Sequence, residues 1–125
     1  MAVAHTTLTV KGTYDTWVAG DKFSAIGTVA VSASPDTYSP GGIPFPLTSG
    51  TAIKSSKKPD YVSISGSSGY AYIYVYGTSA STGKLMIMQG GAAVSSPAAE
   101  LGAVAIPATV SADTIHIMMI FPGMR

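Results

Sequence analysis

The chain contains no cysteine, which excludes disulfides and thiolate metal sites. Charge is scarce as well. Seven basic and six acidic residues make up 10% of 125 positions and leave a net charge of +1, against a usual charged share of about 25%. A nucleic-acid binder would carry a basic stripe, and here Lys54, Lys57 and Lys58 form the one basic cluster. No apolar run approaches the roughly 20 residues that cross a bilayer. Met1 to Thr6 has neither the basic start nor the apolar core of a signal peptide. These absences give the expectation of a soluble protein made in the cytoplasm, with no nucleic-acid and no membrane partner. Apolar residues nevertheless make up 46% of the chain, and a lone monomer with so few charges would have trouble staying in solution. Self-association, or life within a larger assembly, is the expected remedy.

Helix signals are nearly as scarce. Gly (14) and Pro (8) punctuate short apolar runs, the pattern of a sandwich or barrel. At this length the chain is one domain, able to bury about two-thirds of its unfolded surface. Residues 1–20 read as an N-terminal strand or arm, and 21–125 as the sandwich domain. Phe23 to Ala33 reads as a strand with Phe23, Ala25, Gly27, Val29 and Val31 on one face, and with a bulge near Gly27. The two prolines of Ile43-Pro44-Phe45-Pro46-Leu47 confine that segment to a sheet edge. Tyr61 to Ser65 and the segment after Gly69 are expected to form a hairpin across Gly66-Ser67-Ser68-Gly69. Lys84 to Gln89 is a further strand, Ala98 to Leu101 a candidate helical turn, and Thr114 to Phe121 a central strand apolar on both faces. The expected fold is all-β: an antiparallel β-sandwich, jelly-roll-like, of about seven to eight strands.

Four of the seven tyrosines fall within seven residues, at Tyr70, Tyr72, Tyr74 and Tyr76. In a strand they share one face while Ala71, Ile73 and Val75 share the other. Because the small apolar face can fill a core, the rings are expected to point at least partly outward. Their partner is expected to be protein, either a neighbouring subunit or the opposing sheet, in preference to a sugar or single-stranded nucleic acid.

Titratable groups are too few and too scattered for an obvious catalytic set. His5 lies in the first strand and His116 inside the last, neither in a zinc-binding spacing. His116, between Ile115 and Ile117, reads as a packed or interface residue rather than a general base. Asp15, Asp21, Asp36, Asp60, Asp113 and Glu100 are the carboxylates, most of them beside turn formers where Asp satisfies turn amides. The sequence gives no reason to expect an enzyme, a metal or a cofactor.

The order of short motifs does carry a likeness. Tyr38-Ser39-Pro40-Gly41-Gly42-Ile43-Pro44, then Pro59-Asp60-Tyr61-Val62-Ser63-Ile64, then Gly69 to Tyr74, then Lys84-Leu85-Met86-Ile87 and Ala99-Glu100-Leu101 resemble, in that order, the head decoration (cement) proteins of tailed bacteriophages. The resemblance implies a jelly-roll-like sandwich on the outer capsid surface of the virion, a homotrimer at local three-fold positions bridging copies of the major capsid protein. Val3, His5, Thr7, Tyr70, Tyr72, Tyr74, Tyr76 and His116 are the candidate interface residues. The alternative is a carbohydrate- or surface-binding module of a phage fibre or adhesin that uses the tyrosines as a platform.

Overall fold

A computed structural model of the chain describes residues 3–15, 23–47, 58–90 and 97–122, with the side chains at 11–15 and 23 left aside. Eight strands and one helical turn follow one another as β1 (Thr6–Asp15), β2 (Phe23–Val31), β3 (Ile43–Pro44), β4 (Tyr61–Ser65), β5 (Ala71–Val75), β6 (Lys84–Gln89), β7 (Ala99–Glu100), α1 (Ala108–Ser111) and β8 (Ile115–Phe121). They form two antiparallel sheets. The first runs β1-β2-β8-β4, and the second runs β3-β6-β5 with β7 also paired to β6. From β2 to β5 the chain changes sheet at each step, the jelly-roll-like feature of the sandwich.

Alternation in β2 and β8 builds the first layer. Ala25, Gly27, Val29 and Val31 of β2 and Ile115, Ile117, Met119 and Phe121 of β8 turn inward. Across the core they meet Ile43, Phe45, Leu47, Leu85 and Ile87, all essentially inaccessible. Burying each such large side chain stabilises the fold by about 1.5–3 kcal/mol. Ala4 is buried, and its N–H donates to Thr37 O at 2.9 Å. Of the two readings for the N terminus, residues 3–15 take the strand: β1 pairs along its length with β2 of its own protomer. Residues 16–22, in which the sequence places a Gly20-Asp21 turn, lie outside the described residues.

The β1–β2 register shifts between Val10 and Gly12, opposite Gly27 and Ile26. The bulge expected near Gly27 is therefore there, but the extra residue is on β1. A Cβ at Gly27 would run into the main-chain oxygen of Thr9, so the glycine is what lets the two backbones approach at this point.

Three expectations are corrected. Tyr61–Ser65 and Ala71–Val75 are not a hairpin: β4 pairs with β8 and β5 with β6, in different sheets. The Gly66–Gly69 turn carries the chain from one sheet to the other, and Asp113 holds it. The helical turn is not at Ala98–Leu101, where Ala99–Glu100 instead pairs with Gln89 and Met88. It follows Pro107, which stands at its N-cap, where a missing N–H costs nothing.

The third correction concerns the outward direction expected of the tyrosines: Tyr72 and Tyr74 turn in toward the opposing sheet, the other of the two protein partners expected. Tyr72 and Tyr74 are 7% and 6% exposed while Ile73 is 46% exposed. A tyrosine buries about 150–250 Å². Against a second layer otherwise filled by Ile43, Leu85 and Ile87, the rings fill the gap between sheets better than Ala71 and Val75 could.

Candidate interaction surfaces

Two carboxylate clamps hold the loops at either end of the second sheet. At one, Asp113 Oδ2 accepts from Tyr72 Oη at 2.9 Å and from Ser68 N at 3.2 Å, and Oδ1 accepts from Ser67 N at 3.1 Å. Tyr72 Oη also meets Ser68 Oγ at 2.8 Å. Burial works against the Asp113 charge, but the amide and hydroxyl donors outweigh it and hold its pKa below the usual carboxylate range. At the other, Glu100 Oε2 accepts from Tyr38 Oη at 2.6 Å and from the Gly41 N–H. These donors, Tyr38 first, lower its pKa. Gly41 and Gly42 sit at φ +99 and +121, conformations that glycine adopts without strain. The Tyr38–Pro44 and Ala99–Leu101 motifs, 55 residues or more apart in sequence, are thus in direct contact. Their evident duty is to tie loops to the second sheet.

The buried tyrosines themselves differ. Burial pushes the hydroxyls of Tyr38, Tyr72 and Tyr74 up to about 12. Tyr38 and Tyr72 have partners, whereas Tyr74 Oη has no hydrogen-bond partner among the described residues. It lies against Gly83, where a Cβ would overlap it. Its ring packs edge-on against Phe45 (6.0 Å) and Tyr76 (5.0 Å).

Both outer faces carry exposed apolar side chains among polar ones. On the first sheet the registers line up Tyr61, Ile120 and Ser24; Ser63, Met118 and Ile26; and Ser65, His116 and Thr28. Ile26 and Met118 are each 41% exposed, and a shallow groove runs between them past Ser63 and His116. On the second sheet Ala71, Ile73 and Val75 stand beside Met88, Met86 and Lys84. Lys84 and Glu100 are the charged residues in register with that face.

The structure divides the expected interface residues. Thr7 and His116 lie exposed on the first-sheet side; of the two readings of His116, packed or interface, the packed one is set aside, since Ile115 and Ile117 turn inward and it turns out. Val3 is exposed and bridges to Thr37, and His5 Nδ1 lies 3.7 Å from Asp36 Oδ2. Tyr70 is half-buried, and Tyr76 is exposed while accepting the Val62 N–H at 3.1 Å. Tyr72 and Tyr74 are core residues and present no ring to a partner or a sugar. With Lys58, Pro59 and Asp60, Tyr76 lines an open pocket of about 350 Å³. Ile26, Ile73, Met86, Met88 and Met118 were missed as surface residues, although the two-sided apolar pattern of β8 was their one available signal. Among the described residues no three His, Asp or Glu side chains gather as a metal site would require.

The class defined by this fold is the antiparallel β-sandwich. Against protein-family models, curated proteins and solved structures, the chain matches none.

Proposed function

We propose that the protein is a non-enzymatic structural component of a virus head, a decoration protein that binds the outer surface of the capsid and self-associates there, as a trimer by the resemblance stated above. The observation that carries the reading is the pair of apolar outer faces, with Ile26, Met118 and Ile73 in the open. A small domain that buries Tyr38, Tyr72 and Tyr74 and leaves Ile26, Ile73 and Met118 outside is suited to lie against protein. The ordered motifs support it further, since each falls at a strand or clamp that shapes the sandwich. Stabilisation of a shell would come from repetition: modest contacts, made many times on one symmetric surface, add by avidity.

The test is co-sedimentation with heads assembled from the major capsid protein of the virus that encodes it, followed by heating of the bare and decorated heads. Saturable binding with a raised disruption temperature supports the reading. A protein that stays in the supernatant overturns it.

The pocket beside Tyr76 favours a second reading, a glycan-binding module, with the ring as the stacking surface and Lys58 and Asp60 at its rim. A glycan array with native chain and Tyr76→Ala separates the two. Sugar binding lost on substitution, with capsid binding unaffected, would favour this alternative.

A further inference from the structure

Among the described residues, the second sheet ends in β5, which pairs with β6 on one side and with no strand on the other. Along a strand the N–H and C=O groups of successive residues point alternately to either side. In β6, Ile87 donates its N–H to Tyr38 Oη (3.2 Å) and accepts the Leu101 N–H on its carbonyl (2.9 Å). Both groups therefore point away from β5, and those of Met86 point toward it. Met86 is the partner of Ile73, so Ile73 spends its main-chain groups on β6. The N–H and C=O of Tyr72 and Tyr74 then face the free edge, where they bond to no described residue. The neighbouring Tyr70 N–H is already taken by Ser68 Oγ at 3.2 Å.

Every other edge carries a device that discourages pairing. β1 is interrupted by its register shift, and the Val62 N–H of β4 is taken by Tyr76 Oη. β3 is two residues long and includes a proline, and β7 is also two residues long. Bulges, short strands and prolines are the usual protections of a sheet edge. β5 has none, and no charge from Tyr70 to Tyr76.

That segment is also nearly symmetric about its centre: Tyr-Ala-Tyr-Ile-Tyr-Val-Tyr. We infer that the free edge of β5 pairs antiparallel with β5 of a second copy of this chain, across a two-fold axis at Ile73. Tyr72 then faces Tyr74 of the partner strand and Ala71 faces Val75. Four main-chain hydrogen bonds form between the Tyr72 and Tyr74 groups. Small apolar residues meet on the outer face, rings on the inner. The row through Val75 has Lys84 toward one end and the partner copy's Glu100 at the other, so like charges do not meet.

The area sets the strength. Five residues at about 3.3 Å each give an edge of roughly 17 Å, and two layers give a thickness of roughly 20 Å. That is about 340 Å² per copy, under half of the roughly 800 Å² of a standard interface. The pair is weak in free solution and gains its importance where copies are already concentrated on a surface. The inference rests on the self-association reading above, and it adds a two-fold contact able to link chains within or between trimers.

Because the chain has no cysteine, an introduced one reports on its own position. Two strand residues facing each other in a non-hydrogen-bonded pair have Cα atoms about 4.5 Å apart, within disulfide range. Ile73→Cys, at an exposed site, is expected to form a covalent pair under mild oxidation at high micromolar protein. Val104→Cys, equally exposed but distant in the topology, serves as the collisional control. Cross-linking at 73 on the order of tenfold faster than at 104 supports the inference, and equal rates overturn it. Ile73→Lys, which opposes two ammonium groups at the axis, is expected to lower the sedimenting mass while circular dichroism stays native. Unchanged mass where the parent chain associates, or a parent chain monomeric at every soluble concentration, overturns it too. Capsid co-sedimentation of the parent chain reads out the decoration function separately: heads bound without cross-linking sink only the two-fold pair, and cross-linking without head binding sinks only the decoration reading.

Discussion

Two adjacent inward tyrosines, alike in burial, should respond oppositely to loss of a single oxygen. Tyr72 Oη lies 2.9 Å from a charged carboxylate and 2.8 Å from Ser68 Oγ. A hydrogen bond to a charged group contributes roughly 1.5–3 kcal/mol, so Tyr72→Phe should destabilise the fold by about 2 kcal/mol. Tyr74 Oη is buried without a partner among the described residues. An unsatisfied hydroxyl costs about 1–3 kcal/mol, and removing it while keeping the ring should leave stability unchanged or raise it by about 1 kcal/mol. For a domain of this size 1 kcal/mol corresponds to roughly 4 °C in Tm. The two variants should therefore melt about 8–12 °C apart. Urea unfolding monitored by circular dichroism gives both free energies, and equal slopes would confirm that only stability has changed. A Tyr74→Phe chain as destabilised as Tyr72→Phe would refute the reasoning, since it would mean that the hydroxyl is bonded and the packing around Gly83 is different.

Other outcomes follow from the same geometry. Asp113→Asn should cost about 1–3 kcal/mol in urea unfolding, because it weakens the bonds to Tyr72, Ser67 and Ser68 together. Asp113 and Glu100 have pKa values lowered in the fold. Their stabilisation is present above the ordinary carboxylate pKa of about 4 and is lost as pH falls below it, so Tm should drop in acid, and less steeply in Asp113→Asn. The three tyrosine hydroxyls raised to about 12 act at the other end. Their neutral forms favour the fold below pH about 10, and stability should fall between pH about 10 and 12, visible as unfolding coincident with tyrosinate absorbance. Gly27→Ala should lower Tm through collision with Thr9 O, by about 1–3 kcal/mol, a loss measurable by calorimetry.

Much of the fold was legible because it depends on local chemistry. β2 declares itself by alternation, and β6 and β8 by short apolar runs between turn formers, while Pro44 confines β3 to an edge for want of an N–H. What was not legible depends on distant partners. A Gly-Ser-Ser-Gly turn can close a hairpin or carry the chain between sheets, and here Asp113, more than 40 residues away, holds the second form. The facing of β5 was misread because tyrosine satisfies two rules at once. Its hydroxyl counts as polar, which points outward, yet its ring is the largest apolar volume available to a thin layer. Asp113 can receive one hydroxyl and Gly83 makes space for the other ring, and neither fact is visible in the strand itself. The faces proposed for contact were hidden for the same reason: Ile73 becomes a surface residue only once the tyrosines are known to turn in.

That inversion changes what charge poverty means. A protein with few charges can stay monomeric if its exposed residues are Ser, Thr and Gly, as they are over much of the loops here. With Tyr72 and Tyr74 inside, however, Ile73, Met86 and Met88 stand on one sheet and Ile26 and Met118 on the other, so each outer face bears an apolar centre. The two faces lie on opposite sides of the sandwich. Pairing the first face of one copy with the second face of the next would stack copies without closure, an open filament rather than a defined oligomer. A closed assembly must therefore use isologous contacts or surfaces other than these two, and the symmetric edge of β5 meets the first condition. Such a contact leaves the first-sheet face with Ile26 and Met118 uncovered, and that face is the one we assign to the capsid. Ile26→Asp should accordingly abolish co-sedimentation with heads while sparing the Ile73→Cys cross-link. Loss of the cross-link with head binding intact would reverse that assignment.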